Sequence, residues 1–376
     1  MTVDFGEEIF KNDEKAIFEL RALYRKYGYS QYKMSKFEEY ELYARNKDFL
    51  VSDDIITFTD KNGRLLALKP DVTLSIIKNT NDVPGAVQKV YYNENVYRVS
   101  KSSHAYREIM QTGLECIGDI GAYERYEVLM LAAESLERTG GRYVLDISHM
   151  GVLSALFDES DIPAEARGKI IRCIGQKNLH DLAAVCGVYQ TGKGFLEKVS
   201  GLISLYGPLD SVIWKLRALS SGKAYHDALD ETEEVCRLLE NSGCTGSIRL
   251  DFSIVNDMNY YSGLVFRGYL EGIPSGVLSG GQYDLLMRKM RKKSGAIGFA
   301  VYLDALERLE GDKKAFDADT VLLYRDGELP ATVADAVRKL TGEGSVLVEK
   351  RMPEHLRCRR LLRLKDGRIE TVEDHG

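Results

Sequence analysis

Apolar positions at helical spacing open the chain. Between Asn12 and Tyr27, the residues Ile17, Leu20, Leu23 and Tyr24 recur at three- and four-residue intervals, and Gly28 closes the run, which predicts an amphipathic helix. Gln31 to Glu38 reads as a strand. Ile55-Ile56-Thr57-Phe58-Thr59-Asp60 and Arg64-Leu65-Leu66-Ala67-Leu68 flank Lys61-Asn62-Gly63, a hairpin signal. A short helix is predicted over Val72 to Lys78, after Asp71. Two long strands follow, Gln88 to Arg98 and Arg107 to Ile117. The link between them, Val99 to Tyr106, is too long for a tight turn and reads as a loop able to reach over a site. Ala122 to Arg138 is a helix.

From Gly151 to about Glu240 the period is mostly helical, with glycine breaks. Strand character returns at Ile248 to Val255, Gly263 to Tyr269 and Gly276 to Leu278. Gln282 to Lys292 is helical, and a strand plus helix runs from Ala296 to Leu309. Gly311-Asp312-Lys313-Lys314 reads as a linker. The last segment gives strand Thr320 to Tyr324, helix Ala331 to Leu340, and strands Ser345 to Glu349 and Leu361 to Leu364. Two domains are therefore expected: a large one over 1–310, carrying the helical segment 151–240, and a small C-terminal α/β domain over 315–376. Strands outnumber those of a βαβ repeat and the hairpins imply antiparallel pairing, so the predicted class is α+β around an antiparallel sheet.

Composition narrows the class rather than the function. A chain of 376 residues is long enough for two or three domains, and 44% hydrophobic with 29% charged residues describes an ordinary globular protein. No run of about 18 apolar residues exists, so no membrane span is expected. The N-terminus, Met1-Thr2-Val3-Asp4-Phe5-Gly6-Glu7-Glu8, is acidic and unlike a signal peptide, which leads to a cytoplasmic expectation. Cys116, Cys173, Cys186, Cys236, Cys244 and Cys358 show neither a C-x-x-C pair nor zinc-site spacing. They are read as reduced thiols packed as small apolar groups, with no metal site. A net charge of -6 argues mildly against a large nucleic-acid footprint, although a local basic patch stays compatible with it.

Four stretches carry candidate chemistry, and each has a plainer reading. On the strand Arg107 to Cys116, period-two alternation puts Arg107, Ile109, Gln111, Gly113 and Glu115 on one face. Gly113 leaves the groove between Gln111 and Glu115 open, and an amide beside a carboxylate suits an ammonium group. The plainer reading is a solvated sheet face. Asp71 and Thr73, where a strand turns into a helix, read first as helix caps. Tyr260 and Tyr261, before Gly263, place a phenol on each side of a strand: one able to bond an imidazole, the other packing. Ordinary packing is the alternative in a chain with 22 tyrosines. Gly280-Gly281 before a helix could aim amides at an anion, or simply turn. No Ser/His/Asp or Cys/His arrangement is legible, and His104 and His149 read as surface or core residues.

The order of these segments is more informative than any one of them. Lys69-Pro70-Asp71-Val72-Thr73 is followed by Tyr97-Arg98, Tyr106-Arg107-Glu108, Gln111 and Glu115. Then come Leu250-Asp251-Phe252-Ser253-Ile254-Val255-Asn256, Asn259-Tyr260-Tyr261-Ser262-Gly263, Gly280-Gly281-Gln282-Tyr283-Asp284 and Gly295-Ala296-Ile297-Gly298-Phe299-Ala300. Over roughly residues 1–310 this succession resembles the class II aminoacyl-tRNA synthetase-like domain of histidyl-tRNA synthetases. With Phe266-Arg267-Gly268-Tyr269 continuing the Tyr-Tyr-Ser-Gly pattern, it also resembles a paralogous family, the regulatory subunits of ATP phosphoribosyltransferase. The resemblance implies an antiparallel sheet flanked by helices. It also implies a histidine pocket formed by Asp71, Thr73, Arg98, Gln111, Glu115, Tyr260 and Tyr261, with the amino group at Gln111 and Glu115 and a tyrosine at the imidazole.

The departures separate the two relatives. Ser35 stands where the synthetases' first dimer-interface motif has a proline. Arg98 keeps the arginine of the second motif. Ser100 replaces the glutamate that meets adenine, Asn256 the catalytic arginine, and Ala305 the arginine of the third motif. Adenylate formation needs cations where phosphate charge develops, and a charge-assisted contact is worth roughly 1.5–3 kcal/mol even in the ground state. Losing two arginines and the adenine-reading glutamate should cripple ATP use, while the amino-acid side is largely kept. No catalytic residue and no cofactor are therefore expected. The segment after the linker is short for an anticodon-binding domain and shows no aromatic-plus-basic RNA platform, so no tRNA partner is expected.

What the resemblance implies is a non-catalytic regulatory subunit for the first step of histidine biosynthesis. It would join a short-form ATP phosphoribosyltransferase catalytic subunit in a hetero-octamer built on dimers, with L-histidine as effector. Whether histidine occupies the synthetase-like pocket or a subunit interface is left open by the sequence. The rival reading is an active histidyl-tRNA synthetase-like aminoacylating enzyme. A third is a synthetase-like domain that modifies or binds another protein.

Overall fold

The computed structural model describes residues 11–50, 55–83, 85–99, 105–244, 248–255, 260–306 and 316–375. The chain divides into two compact units, Met1–Leu309 and Glu310–Gly376. Helix α1 (Asn12–Lys26) buries Ala16, Leu20, Leu23 and Tyr24, and the chain leaves it where Gly28 adopts φ +82°. Each buried leucine contributes roughly 1.5–3 kcal/mol. Of the strand expected over 31–38, only β1 (Ser30–Gln31) and β2 (Phe37–Glu39) form. The chain between them crosses from one sheet to another, so a single continuous ladder is impossible.

After α2 (Tyr40–Ala44), the expected hairpin is present as β3 (Thr57–Thr59) and β4 (Leu65–Leu68), and β2 pairs with β4 to complete a three-stranded sheet. Gly63, at φ +81°, makes its turn. Helix α3 (Thr73–Asn79) follows as predicted. Strands β5 (Val87–Val99) and β6 (Tyr106–Gly118) pair antiparallel along their whole length, from Val87 opposite Gly118 to Val99 opposite Tyr106. Residues 100–104 of the link between them lie outside the described residues. Helix α4 (Ala122–Gly140) packs against α1, and the Tyr24 and Ser135 hydroxyls share a 3.0 Å hydrogen bond there.

Strand β7 (Tyr143–His149) was not expected from the sequence. It is covered on both faces, so it has none of the alternation that marks a half-exposed strand. The helical segment then appears as α5 (Met150–Glu159), α6 (Ala164–Gly175), α7 (Leu179–Tyr189), α8 (Lys193–Ser204), the two-residue β8 (Tyr206–Gly207), α9 (Leu209–Ala218) and α10 (Lys223–Asn241). His149 is buried and caps α5, its Nδ1 accepting from the Gly151 amide at 3.0 Å.

The chain returns to the large sheet with β9 (Ile248–Asp251), β10 (Leu264–Leu270), β11 (Leu278–Gln282), α11 (Asp284–Lys289), β12 (Gly295–Tyr302) and α12 (Leu303–Leu306). β9 stops at Asp251 rather than Val255, because Asp251 Oδ1 takes the Ser253 amide at 2.8 Å and turns the chain. β11 runs later than the Gly276 to Leu278 expected, and it absorbs Gly280 and Gly281. Those glycines are neither a turn nor an anion cradle. They pair with Phe266 and Val265 on one side and with Phe299 and Gly298 on the other.

The large sheet has nine strands in the order β1-β5-β6-β12-β11-β10-β7-β9-β8. It is antiparallel from β5 through β7. The pairs β1 with β5 and β7 with β9 are parallel, so the sheet is mixed at its flanks rather than wholly antiparallel. The α+β class holds. The second unit is a four-stranded sheet of β13 (Ala318–Leu323), β14 (Val346–Glu349), β15 (Cys358–Lys365) and β16 (Arg368–Asp374), with α13 (Pro330–Leu340) beside it. β16 was not expected either, since every residue in it is exposed and its sequence is mostly charged. The linker Gly311 to Lys314 lies outside the described residues. Among the described residues no helix is long and apolar enough to cross a membrane.

Candidate ligand-binding site

On one face of the nine-stranded sheet lies a cavity of about 500 Å³, within the range of roughly 300–1,000 Å³ usual for small-molecule sites. Asp71, Thr73, Arg98, Gln111, Glu115, Tyr260 and Tyr261 all line it. They come from four places: the entry to α3, the end of β5, the middle of β6 and the approach to β10. Gln111 is 4% exposed and Glu115 2%, so this face of β6 is not the solvated surface that alternation alone allows.

Glu115 is the most constrained group. Its Oε1 accepts from the Thr73 hydroxyl at 2.8 Å and its Oε2 from the Tyr283 phenol at 2.5 Å. Burial pushes its carboxyl up to about 8. The bonds from Tyr283 and Thr73 work against that rise, and the nearby Asp71 carboxylate adds to it. Asp71 is raised as well, again chiefly by burial. The Leu74 amide, 3.0 Å from Oδ1, and the charge of Arg98 pull it back. Asp71 therefore does both things open to it, capping α3 and lining the cavity. Arg98 is held in place by its Nε, which donates to the Pro70 carbonyl at 3.1 Å.

Glycines lie beneath several of the lining side chains. Gly298 faces Glu115 across the β6–β12 ladder, and a Cβ there would fall inside the Glu115 carboxylate. A Cβ on Gly281 would come within 2.5 Å of the Tyr261 ring. Gly113 corrects the sequence reading. The space above it is not an open groove, because Tyr92, its register partner on β5, lays its phenol there, 2.6 Å from where a Cβ would be. The tyrosine pair also differs from expectation. Tyr260 and Tyr261 precede β10 instead of lying in a strand, and both line the cavity. Their ring centroids are 4.5 Å apart, and Tyr260 also packs near Tyr283 and Phe49. Burial raises the phenols of Tyr92, Tyr260, Tyr261 and Tyr283, keeping them neutral hydrogen-bond donors.

Sequence reasoning had not placed Tyr92, Arg267, Ser279, Tyr283 and Tyr302 in the site, although all line it. Tyr283 and Arg267 stand inside motifs already singled out. Tyr92 could have been found by setting β5 against β6 in register. Of the positions where synthetase residues are expected but missing, Ser100 and Asn256 lie outside the described residues. Ala305 is buried in α12 within the main apolar core. Ser35 is exposed, its hydroxyl accepting from the Phe37 amide at 3.3 Å. Among the described residues no group of three His, Cys, Asp or Glu is placed to hold a metal ion.

In chemical terms the cavity offers a buried carboxylate, a second carboxylate beside an arginine, neutral phenols and an amide. Groups of these kinds can form hydrogen bonds to an amine and to a polar ring. The family model described as histidyl-tRNA synthetase matches residues 2–306. The ATP phosphoribosyltransferase regulatory subunit of Oceanobacillus iheyensis is 27% identical, covering 85% of this chain and 80% of that protein. The protein of the same name from Clostridium kluyveri is 30% identical over 76% of this chain and 75% of its own length. Among solved structures, an ATP phosphoribosyltransferase regulatory subunit/histidyl-tRNA synthetase from Bacillus halodurans superposes with a TM-score of 0.74 at 24% identity, over 92% of this chain and 90% of that one. A chain of the ATP phosphoribosyl transferase complex from Thermotoga maritima gives 0.60 at 20% identity, over 80% of this chain and 98% of that one. These likenesses show a class II synthetase-like fold.

Proposed function

The chain belongs to the histidyl-tRNA synthetase family, and within it to the ATP phosphoribosyltransferase regulatory subunits; from that membership we propose that it is the non-catalytic partner of a short-form ATP phosphoribosyltransferase catalytic subunit. Its work is to make that enzyme competent in the first step of histidine biosynthesis and to transmit inhibition by histidine. The observation that carries this reading is the likeness to regulatory subunits along most of both chains, at 25–30% identity. The buried, acid-lined cavity supports it on the ligand side. Residues 1–310 act as the synthetase-like domain, and the assembly is a hetero-octamer built on dimers in the cytoplasm.

L-Histidine occupies the cavity, with Asp71, Thr73, Arg98, Gln111, Glu115, Tyr260 and Tyr261 as its contacts. The α-amino group faces Gln111 and Glu115, and a tyrosine meets the imidazole. Regulation then follows as a coupling free energy: histidine binds one state of the assembly better than the other and shifts the catalytic partner with it.

The test is reconstitution. The purified chain is mixed with a short-form catalytic subunit, and phosphoribosyl transfer to ATP is assayed with and without histidine. Activity that needs this chain and falls with histidine is the expected result. Histidine-dependent exchange of pyrophosphate into ATP by the chain alone would favour an aminoacylating enzyme and overturn the reading.

A further inference from the structure

An ion pair lies just behind the cavity wall. Lys69 is fully buried, a rare place for an ammonium group. Its Nζ donates to Glu94 Oε2 at 2.8 Å. Glu94 stands on β5 directly opposite Gln111 on β6, so the pair adjoins a residue that lines the cavity while neither member lines it. Lys69 opens the segment 69–73, which carries Asp71 and Thr73 into the site. That segment leaves the three-stranded sheet at the end of β4, where the Lys69 amide donates to the Lys36 carbonyl at 3.1 Å, and it leads into α3.

Further ties run from the same segment to the β5–β6 hairpin. The Lys69 carbonyl accepts from the Tyr97 amide at 2.8 Å, the Pro70 carbonyl accepts from Arg98 Nε at 3.1 Å, and the Thr73 hydroxyl donates to Glu115 at 2.8 Å. Neutral bonds to a strand can be remade one residue along, since each residue offers its own amide and carbonyl. The ion pair cannot. On either side of Glu94, Asn93 and Asn95 point to the other face of β5, where they bond Thr112 and Glu108. A slip of one residue would therefore strand a buried ammonium with no acceptor. Buried pairs of this kind add little stability, because taking two charges from water offsets their attraction, and fixing register is their best-attested use.

We infer that Lys69 and Glu94 are positioning residues for the cavity: they hold residues 69–73 in the one alignment on β5 that sets Thr73 against Glu115 and Asp71 at the cavity wall, and so govern ligand affinity rather than stability. This inference rests on the reading that histidine occupies the cavity. Lys69 acts on the ligand through Thr73 and Glu115. The Thr73 bond is one of the two that hold the Glu115 carboxyl down against burial. With the alignment lost, Glu115 keeps the Tyr283 phenol and still faces Asp71 and the buried phenols of Tyr92, Tyr260 and Tyr261, but it loses that hydroxyl. Removing the Thr73 hydroxyl directly should do the same, and the two changes should not add.

Calorimetric titration of the full chain with L-histidine at several pH values, with urea denaturation beside it, tests this. The double variant Lys69→Met/Glu94→Gln leaves no charge stranded and should melt with the wild type. It should bind histidine about tenfold more weakly, the loss expected of one hydrogen bond to a charged group. Thr73→Val should match that loss and move the pH midpoint of binding upward. Thr73→Val added to the double variant should cost no further affinity and leave the same midpoint. Wild-type affinity in the double variant overturns the role of the pair and leaves the histidine reading standing. An unfolded double variant assigns the pair to stability and overturns the inference as well. Additive losses with Thr73→Val would mean that the pair does not act through Thr73, which also overturns it. Failure of the wild type to bind histidine sinks the histidine reading itself, and the inference with it.

Discussion

The carboxylate of Glu115 rests on the bare backbone of Gly298, its register partner on the neighbouring strand. The strand beneath the carboxylate is held from both sides. β12 is paired with β6 and β11 at once, so the backbone under the carboxylate has no room to retreat. Gly298→Ala should therefore push Glu115 off Thr73 and Tyr283, cost about 1–3 kcal/mol in stability, and abolish binding in the cavity. Urea denaturation and a histidine titration on the same preparation measure the two effects. Full stability with full binding would show that the strand can shift after all.

Glu115 should make stability fall as pH rises. Its carboxyl is held at about 8 in the fold against an ordinary 4.5, so the folded protein keeps a proton that the unfolded chain has given up. Stability from this group is complete below about 4.5 and is lost as pH climbs to about 8, after which the contribution is flat. Glu115→Gln keeps the shape and removes the titration. The variant should gain on the wild type across that window, by on the order of a few kcal/mol at the upper end, while binding histidine about 10- to 100-fold more weakly. Melting curves between pH 5 and 9 give the first result and calorimetry the second. Parallel pH profiles for the two proteins would contradict the assignment.

The same carboxyl links ligand binding to protons. In the empty cavity at pH 7 it is mostly protonated, and an incoming ammonium group favours the ionised form. Histidine binding at pH 7 should release close to one proton, and the release should shrink as pH rises through about 8. Titrations in buffers of different ionisation enthalpy count the protons directly. Identical heats in all buffers at pH 7 would mean that the ammonium does not meet Glu115.

Much of the scaffold is legible in sequence because period reveals half-exposed elements. α1 shows one apolar face, while α4, β5 and β6 are long enough, and clearly enough bounded by loop residues, to be read despite their buried stretches; all four come out within a few residues of their observed ends. β7 escapes because both its faces are covered, and β11 because Gly280 and Gly281 carry no side chain to alternate. The site behaves differently. Asp71 looks like a cap and is one. Its second role exists only because α3 begins beside β6. The filling of Gly113 by Tyr92 is equally invisible in either strand alone and follows only from their register. The order of motifs brings the seven pocket residues to notice, whereas the partners that constrain them, Tyr283 beneath Glu115 above all, are a property of the folded sheet.

Ala305 offers a test of whether the missing cations could simply be put back. It lies in α12, 8% exposed, among Leu303, Leu306 and the apolar core of the large unit. An arginine there would have to carry a charge into that core or force α12 outward. Ala305→Arg should cost about 3 kcal/mol or more, since an unpaired buried charge is among the few single changes with so large an effect. Adding Asn256→Arg should still restore no ATP–pyrophosphate exchange, because supporting residues such as Ser100 are also changed and a site needs its supporting shell. Denaturant melts and an exchange assay on the double variant check both halves. A stable double variant with clear exchange would mean that the nucleotide side has lost only its arginines and kept its shape.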